Sequence, residues 1–397
     1  MTHTPIASTS RLRSRLRDER GISVLLITGG MFAFIASTML AIDLGMVMTA
    51  RTQAQRAADA GALAGATALV YNSFTDHTPA GPAVTAAINT AKTNQVAGEE
   101  PSVTAEDVTF PLNPVTNQND LVEVKVWRSS VRENPMSLFM AQVFGMDTAN
   151  ITATARATAA PAGAATCVLP VTIPDKWLEI QTPAWTPDDD FNIYATAGGK
   201  QNNGAPLPNP DVYIPPGYPG HTGYDADLDK GLRLVLKENN DNKVAPSMYN
   251  PWDIPGSVGG SDYEENISGC NPHLVDKGDK MIPENGNMQG PTTHGANELI
   301  EQDRDARWVD ACKCVKYSQF RQSPRIRIMP LYDPVVYAND QKTGKSKPEL
   351  KVVNYLGVFI EAVVGGEIIG RVTPITAKPS SGIPGAGTFA KAIMLVK

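Results

Sequence analysis

The sequence predicts an α+β fold: a single amino-terminal transmembrane helix continues into a long Ala-rich helix packed on a small α/β unit, and a β-rich domain with long loops follows. Three observations predict it. Residues 21–42, "GISVLLITGGMFAFIASTMLAI", hold no charged side chain. Residues 43–70 hold no proline and are dominated by alanine. Most of the 33 Gly and 31 Pro fall beyond residue 160, between short runs of strand-forming residues. The expected organisation is a basic tail (1–20), the span (21–42), a helix plus α/β module (43–160) and a β-rich extracytoplasmic domain (161–397).

The span is long enough, since about 20 apolar residues cross a bilayer core. Charge around it sets the topology. Arg11, Arg13, Arg15, Arg17 and Arg20 against Asp18 and Glu19 make the first twenty residues about +3, so the −6 chain carries about −9 beyond the span. Arginine stays on the cytoplasmic side, which places the amino terminus inside and residues 43–397 outside. A cleavable signal peptide is the rival reading, but its apolar core is shorter and ends at a small-x-small site. A prepilin-type leader would be cut after Gly21 and carry Glu at the fifth following position, which here is Leu26. A retained anchor is therefore expected. A basic leader on an acidic body with no later basic patch argues against nucleic-acid binding.

Past the span, Ala has the best helix propensity, and Gly occurs only at 45, 61 and 65 before Val70. A flexible linker would not look like this. The helix is expected to continue about 40 Å beyond the bilayer at 1.5 Å per residue. Ala50, Ala54, Ala58 and Ala62 share one stripe, and Ala57, Gly61 and Gly65 the adjacent one, so a neighbouring backbone can come close. Arg51, Gln55, Arg56 and Asp59 lie on the other side, with Arg56 and Asp59 spaced to pair. Two surfaces compete for the bare face: the chain's own downstream strands, or a partner's helix in an assembly, including self-association.

These residues carry a resemblance. "AIDLGMVMTARTQAQRAADAGALAGATAL" resembles the amino-terminal module of TadG-like (TadE/TadG-type) Flp pilus assembly proteins of the tight-adherence (Tad) system. The matching positions are Glu19-Arg20-Gly21, Asp43, Gly45, Arg51, Gln55, Ala57-Ala58-Asp59-Ala60 and Ala62-Leu63-Ala64-Gly65, with Arg56 where the family often has Asn. The alternating strand at 120–131, a short helix from Pro135 bearing Phe139 and Phe144, a turn at Gly145 and a strand through Ile151 extend it. The resemblance implies a helix-packing motif of Asp43, Gly45, Arg51, Gln55, Ala57, Ala58, Asp59, Ala60, Gly61 and Gly65, and partners among pilus or secretion machinery proteins.

In the carboxyl half, strands are expected at 191–196, 232–236, 325–331, 352–364 and 367–373, between loops rich in Pro, Gly, Asn and Asp. Cys167, Cys270, Cys312 and Cys314 lie on the expected outer side, where disulfides form and three connectivities are open. Cys312 and Cys314 stand too close to pair comfortably, so each is expected to reach back to Cys167 or Cys270. The rival is a zinc site from Cys270, His273, Cys312 and Cys314, although Cys-x-Cys is tighter than the usual knuckle. Asp225, Asp227 and Asp229 suggest calcium, but Lys230 and Leu236 occupy the positions where an EF-type loop needs Gly and Glu, so a solvated acidic turn is expected. No Asp-x-Ser-x-Ser run of the kind that opens a von Willebrand A metal site occurs.

No Gly-x-Ser-x-Gly elbow, His-Glu-x-x-His helix or phosphate loop occurs, and Thr292, Thr293 and His294 are merely adjacent in sequence. The expectation is a non-enzymatic protein with no catalytic residue, cofactor or metal. It is anchored in the inner membrane as a structural component of a Tad/Flp-type pilus assembly or secretion apparatus. The alternative is a stand-alone membrane-tethered binding or adhesion protein.

Overall fold

Backbone hydrogen bonding inside one uninterrupted helix organises the amino-terminal half. The structure is a computed structural model that describes residues 19–182, 184–379 and 388–396. The expected basic tail falls on residues 1–20, of which 1–18 lie outside the described residues. Helix α1 runs over Glu19–Tyr71, so the apolar run and the alanine-rich segment are one helix. Its hydroxyls bond inward: Thr38 donates to the Phe34 carbonyl at 2.9 Å and Thr49 to that of Gly45 at 2.9 Å.

The chain divides into two compact units, one holding residues up to Ala58 with 91–103 and 125–153, the other 59–90, 104–124 and 154–397. After α1 come α2 (Pro82–Thr93), β1 (Val108–Thr109), β2 (Leu121–Arg128), β3 (Met136–Ser137), β4 (Thr148–Ala149) and β5 (Ile151–Pro161). The expected strand at 120–131 is thus β2. The short helix expected from Pro135 is instead the β3 strand followed by a single 3-10 turn over Ala141–Phe144, ended by Gly145 in the left-handed region. The turn stops there because Gly145, at φ +76°, leaves the helical region, and its amide and that of Met146 close back on the carbonyls of Gln142 and Ala141.

The carboxyl half carries β6 (Ala164–Ala165), β7 (Val171–Pro174), β8 (Arg233–Glu238), β9 (Met248–Asp253), α3 (Gly260–Ser268), β10 (Val275–Asp276), β11 (Lys280–Pro283) and α4 (Gln289–Glu301). Then follow β12 (Arg307–Val309), β13 (Cys314–Lys316), β14 (Ile326–Tyr332), α5 (Pro334–Lys342), β15 (Leu350–Val364), β16 (Glu367–Val372) and β17 (Lys391–Val396). Six of these strands close into a barrel in the order β15, β14, β7, β9, β8, β16 and back to β15, and β11 bridges β15 and β9. The β7–β14 and β8–β9 pairs are parallel; the other barrel pairs are antiparallel. Period-two alternation feeds two cores. Met329, Leu331, Leu356, Val358 and Ile360 join one cluster with Tyr249 and Tyr263, while Ile328, Tyr332, Val353 and Tyr355 join the other with Trp177, Phe191 and Trp252.

Two sequence expectations fail here for local reasons. Residues 191–196 form no ladder strand. The backbone amides of Ile193 and Tyr194 are taken by the Asn202 side chain at 3.0 and 3.1 Å, and Asp211 takes that of Asn192 at 2.7 Å. The cysteines pair as Cys167–Cys270 and Cys312–Cys314, not as two long-range bridges. The β12–β13 hairpin pairs Val309 with Cys314, and Lys313, at φ +45°, turns the chain tightly enough to bring the two Cα atoms to 5.2 Å. Among the described residues no group of three or more His, Cys, Asp or Glu could hold a metal. The acidic turn is also not simply solvated: Asp229 is buried against Lys176 Nζ at 2.6 Å, and Asp227 accepts from the Phe74 amide at 3.2 Å.

Strand β17 lies beside β5 in a sheet of order β1-β2-β5-β17, with Lys391 opposite Pro161. This buries Lys391, whose Nζ lies 4.5 Å over the Phe74 ring. Burial pushes its ammonium down to about 8, and the charges of Asp120, Asp225 and Asp227 only partly oppose that. Below that pH the native and the unfolded chain both hold the proton; between about 8 and 10.5 only the unfolded chain does. Stability therefore rises with pH across that window, by roughly 3 kcal/mol at 1.36 kcal/mol per pH unit. Denaturant midpoints measured at several pH values should show this rise in the native chain and lack it in Lys391→Met.

Candidate functional site: a membrane helix with a small-residue face

Helix α1 changes character at Asp43. From Ile22 to Ile42 large apolar side chains point outward, among them Leu25, Phe32 and Phe34. From there Asp43, Ala50, Ala54, Ala57, Ala58, Gly61, Ala62, Gly65, Ala66 and Leu69 are buried, at spacings of three, four and seven that keep them on one face. Arg51, Gln55 and Arg56 are exposed, while Asp59 and Ala60 are half-buried. The motif residues thus divide into two sets on the same helix.

The buried set meets the chain's own elements. A Cβ on Gly65 would lie 2.8 Å from Val122 Cγ1 on β2, 3.2 Å from Ala87 Cβ and 3.3 Å from the Ala83 carbonyl on α2. A larger residue fits there only if Val122 or α2 shifts. Gly45 differs: a Cβ there meets nothing within 4 Å, and Gly45 helps line a cleft of about 350 Å³ beside Met46, Thr49 and Met136. On the same stretch Gln53 Oε1 accepts the Ala97 amide at 2.8 Å, a contact for which the sequence offers no signal.

Asp43 is the polar fixture of this helix. Its carboxylate accepts the backbone N–H groups of Phe139 at 3.0 Å, Met140 at 3.0 and 3.2 Å, and Ala141. Burial alone would raise its pKa, but the three amide donors outweigh it and hold the carboxyl below the usual range. Converging amides before a helical turn form a ready anion site, and here an aspartate of the same chain fills it. The segment is braced from behind by Arg128, which donates to Glu99 at 2.5 Å and to the Pro135 carbonyl at 3.2 Å.

A second concavity, of about 830 Å³, is lined by Lys230, Lys313, Lys316 and Arg321 with Tyr71, Tyr317 and Phe320, and among the described residues by no Asp or Glu. Tyr317 and Phe320 are exposed. Tyr317 sits at φ +61°, a strained position for a non-glycine residue. The loop carrying these rings is tied down by Asp303, whose buried carboxylate accepts the hydroxyls of Ser318 and Ser323 at 2.6 Å each. Arg325 donates to the carbonyls of Asp303 and Ala306 at 3.0 and 2.9 Å. Lys230 donates to the Tyr71 carbonyl at 2.9 Å. Burial, aided by Lys313 and opposed by Asp227, lowers its pKa. No run of consecutive basic residues marks this cleft in the sequence: uncharged residues separate Lys313, Lys316 and Arg321, and Lys230 lies 83 positions before the first of them.

Gly65→Leu should therefore destabilise the chain itself by about 1–3 kcal/mol through overpacking against Val122 and Ala87. Gly45→Ala, facing open space, should stabilise the helix by up to about 1 kcal/mol. Thermal unfolding of the full chain in detergent distinguishes the two directions.

No curated protein and no solved structure matches this chain. Residues 22–68, which hold the apolar run, Asp43 and the small-residue face through Ala66, match the Tad family of Flp pilus-assembly TadE/G-like proteins.

Proposed function

We propose that this chain is a membrane-anchored structural component of a Tad/Flp-type pilus assembly or secretion apparatus. The observation that carries the reading is the coincidence of the family match with the helix that is apolar outward through Ile42 and packed by small residues beyond it. In this reading α1 crosses the inner membrane once, with the amino terminus cytoplasmic and the body in the periplasm or outside the cell. The arginine-rich tract before the span supports that orientation. The protein works as a scaffold and not as an enzyme. Because the small-residue face is buried, with α2 and β2 against it at Gly65, machinery partners meet the exposed side of α1, around Arg51 and Arg56, and the loops of the barrel. Deletion of the gene followed by imaging of surface pili tests the reading. Loss of pili is expected; intact pili with normal adherence contradict it.

The cleft favours a second reading, a tethered binding protein for an anionic surface ligand. Four cations with no lining carboxylate among the described residues, on a chain of net charge −6, make a local positive site in an acidic protein. Its aromatic rings are pre-set by the Asp303 and Arg325 contacts. The full chain should bind polygalacturonate-coated beads, less so as salt screens the contact, and a Lys313→Glu/Lys316→Glu/Arg321→Glu variant should lose about tenfold or more in affinity. A native chain that ignores the beads at low salt removes this reading.

A further inference from the structure

We propose that residues 138–146 form an interfacial wedge, whose apolar side chains lie in the bilayer surface where α1 leaves the membrane. The uncharged run of α1 ends at Ile42, and the next residue, Asp43, holds the amides of Phe139, Met140 and Ala141 at hydrogen-bond distance. The segment is thereby fixed within one residue of the end of the span. Its apolar side chains gather outward within eight positions: Phe139 is 65% exposed, Val143 72%, Phe144 58% and Met146 51%. Ile42, Leu44, Met46 and Met48 on the adjoining helix are exposed as well, which continues the apolar surface from the span to the wedge.

Charge and backbone accounting favour lipid as the occupant. From Asn134 to Met146 no charged residue occurs. The wedge also satisfies much of its own backbone, as an interfacial segment must. The Leu138 amide donates to the Asp147 carbonyl at 3.0 Å, Gly145 to Gln142 at 3.0 Å and Met146 to Ala141 at 3.1 Å. The Gln142 side chain donates to the Leu138 carbonyl at 2.7 Å. What is left outward is apolar and aromatic, the composition that settles at the headgroup–acyl boundary, about 5–10 Å deep. A single span leaves a helix free to tilt and slide, and a wedge pinned to its first outer turn sets the depth of the protein. The inference rests on α1 crossing the membrane, and holds whether or not the chain serves a pilus.

Single cysteines at Phe139, Phe144 and Phe34 test it, because the native cysteines are all in disulfides. Each is labelled with an environment-sensitive fluorophore in the full chain, reconstituted in phosphatidylethanolamine–phosphatidylglycerol vesicles. The Phe139 and Phe144 labels should lose more emission to a shallow nitroxide phospholipid than to a deep one, and should resist aqueous iodide. Quenching by iodide without quenching by lipid overturns the proposal, and so does shielding from both, which would mean a protein surface covers the wedge. The Phe34 label separates the two levels. If the deep nitroxide quenches it while the wedge labels ignore lipid, the span stands and the wedge fails; if it also ignores lipid, the span itself fails. Asp43→Ala should reduce lipid quenching at Phe144 and leave Phe34 unchanged. The labels in the native background decide the matter even where that variant folds poorly.

Discussion

One helix has to serve two solvents. Because α1 satisfies its own backbone, it is built to pass from hydrocarbon to water without a break, with only the side chains changing along it. In the first part lipid accepts large apolar groups such as Phe32 and Phe34 directed outward. In the second part, water leaves no stabilising use for them, and the helix is held instead by close approach: at Gly65, α2 and β2 come so near that an added Cβ would crowd Val122 and Ala87. Asp43 stands at the change-over. A carboxylate there would be costly if unpartnered, and the amides of Phe139, Met140 and Ala141 meet it. The same amides lie at the start of the 3-10 turn over Ala141–Phe144, so the carboxylate also caps that turn.

The carboxyl half solves a different problem. Closing six strands into a barrel leaves no long open edge, so a β-rich body can stand in solution with extended loops. Those loops are ordered chiefly by Asn, Gln and Asp side chains that take backbone amides, as Asn202 and Asp211 do, and by buried charged groups such as Asp303 and Arg325. The two disulfides act at different ranges. Cys167–Cys270 closes 103 positions of chain, whereas Cys312–Cys314 stiffens one hairpin end that carries Lys313 at the rim of the basic cleft.

What the sequence revealed follows from how local the causes are. Helix α1 and its family resemblance were legible because propensity, the absence of proline and the charge asymmetry all act within a few turns. The barrel strands at β8, β14, β15 and β16 were legible from their apolar runs. The partner of Asp43 was not, since it lies 96 to 98 residues away and is made of backbone amides that leave no residue-type signal. The Cys312–Cys314 bridge was not legible because it depends on Lys313 adopting a left-handed conformation, which composition does not disclose. The sequence also left open which surface the bare face of α1 meets. At Gly65 the positions of Val122, Ala83 and Ala87 show that it is this chain's own.

That closed face is the central claim, and thiol reactivity measures it most directly. Single cysteines are placed at Ala62, which is fully buried, and at Thr67, which is exposed on the same helix. In the monomeric full chain in mild detergent, with no partner present, the account predicts rapid modification at Thr67 and negligible modification at Ala62 until the protein is unfolded. Equal, rapid modification at both would show a face that stands open for another protein's helix, and would contradict the account.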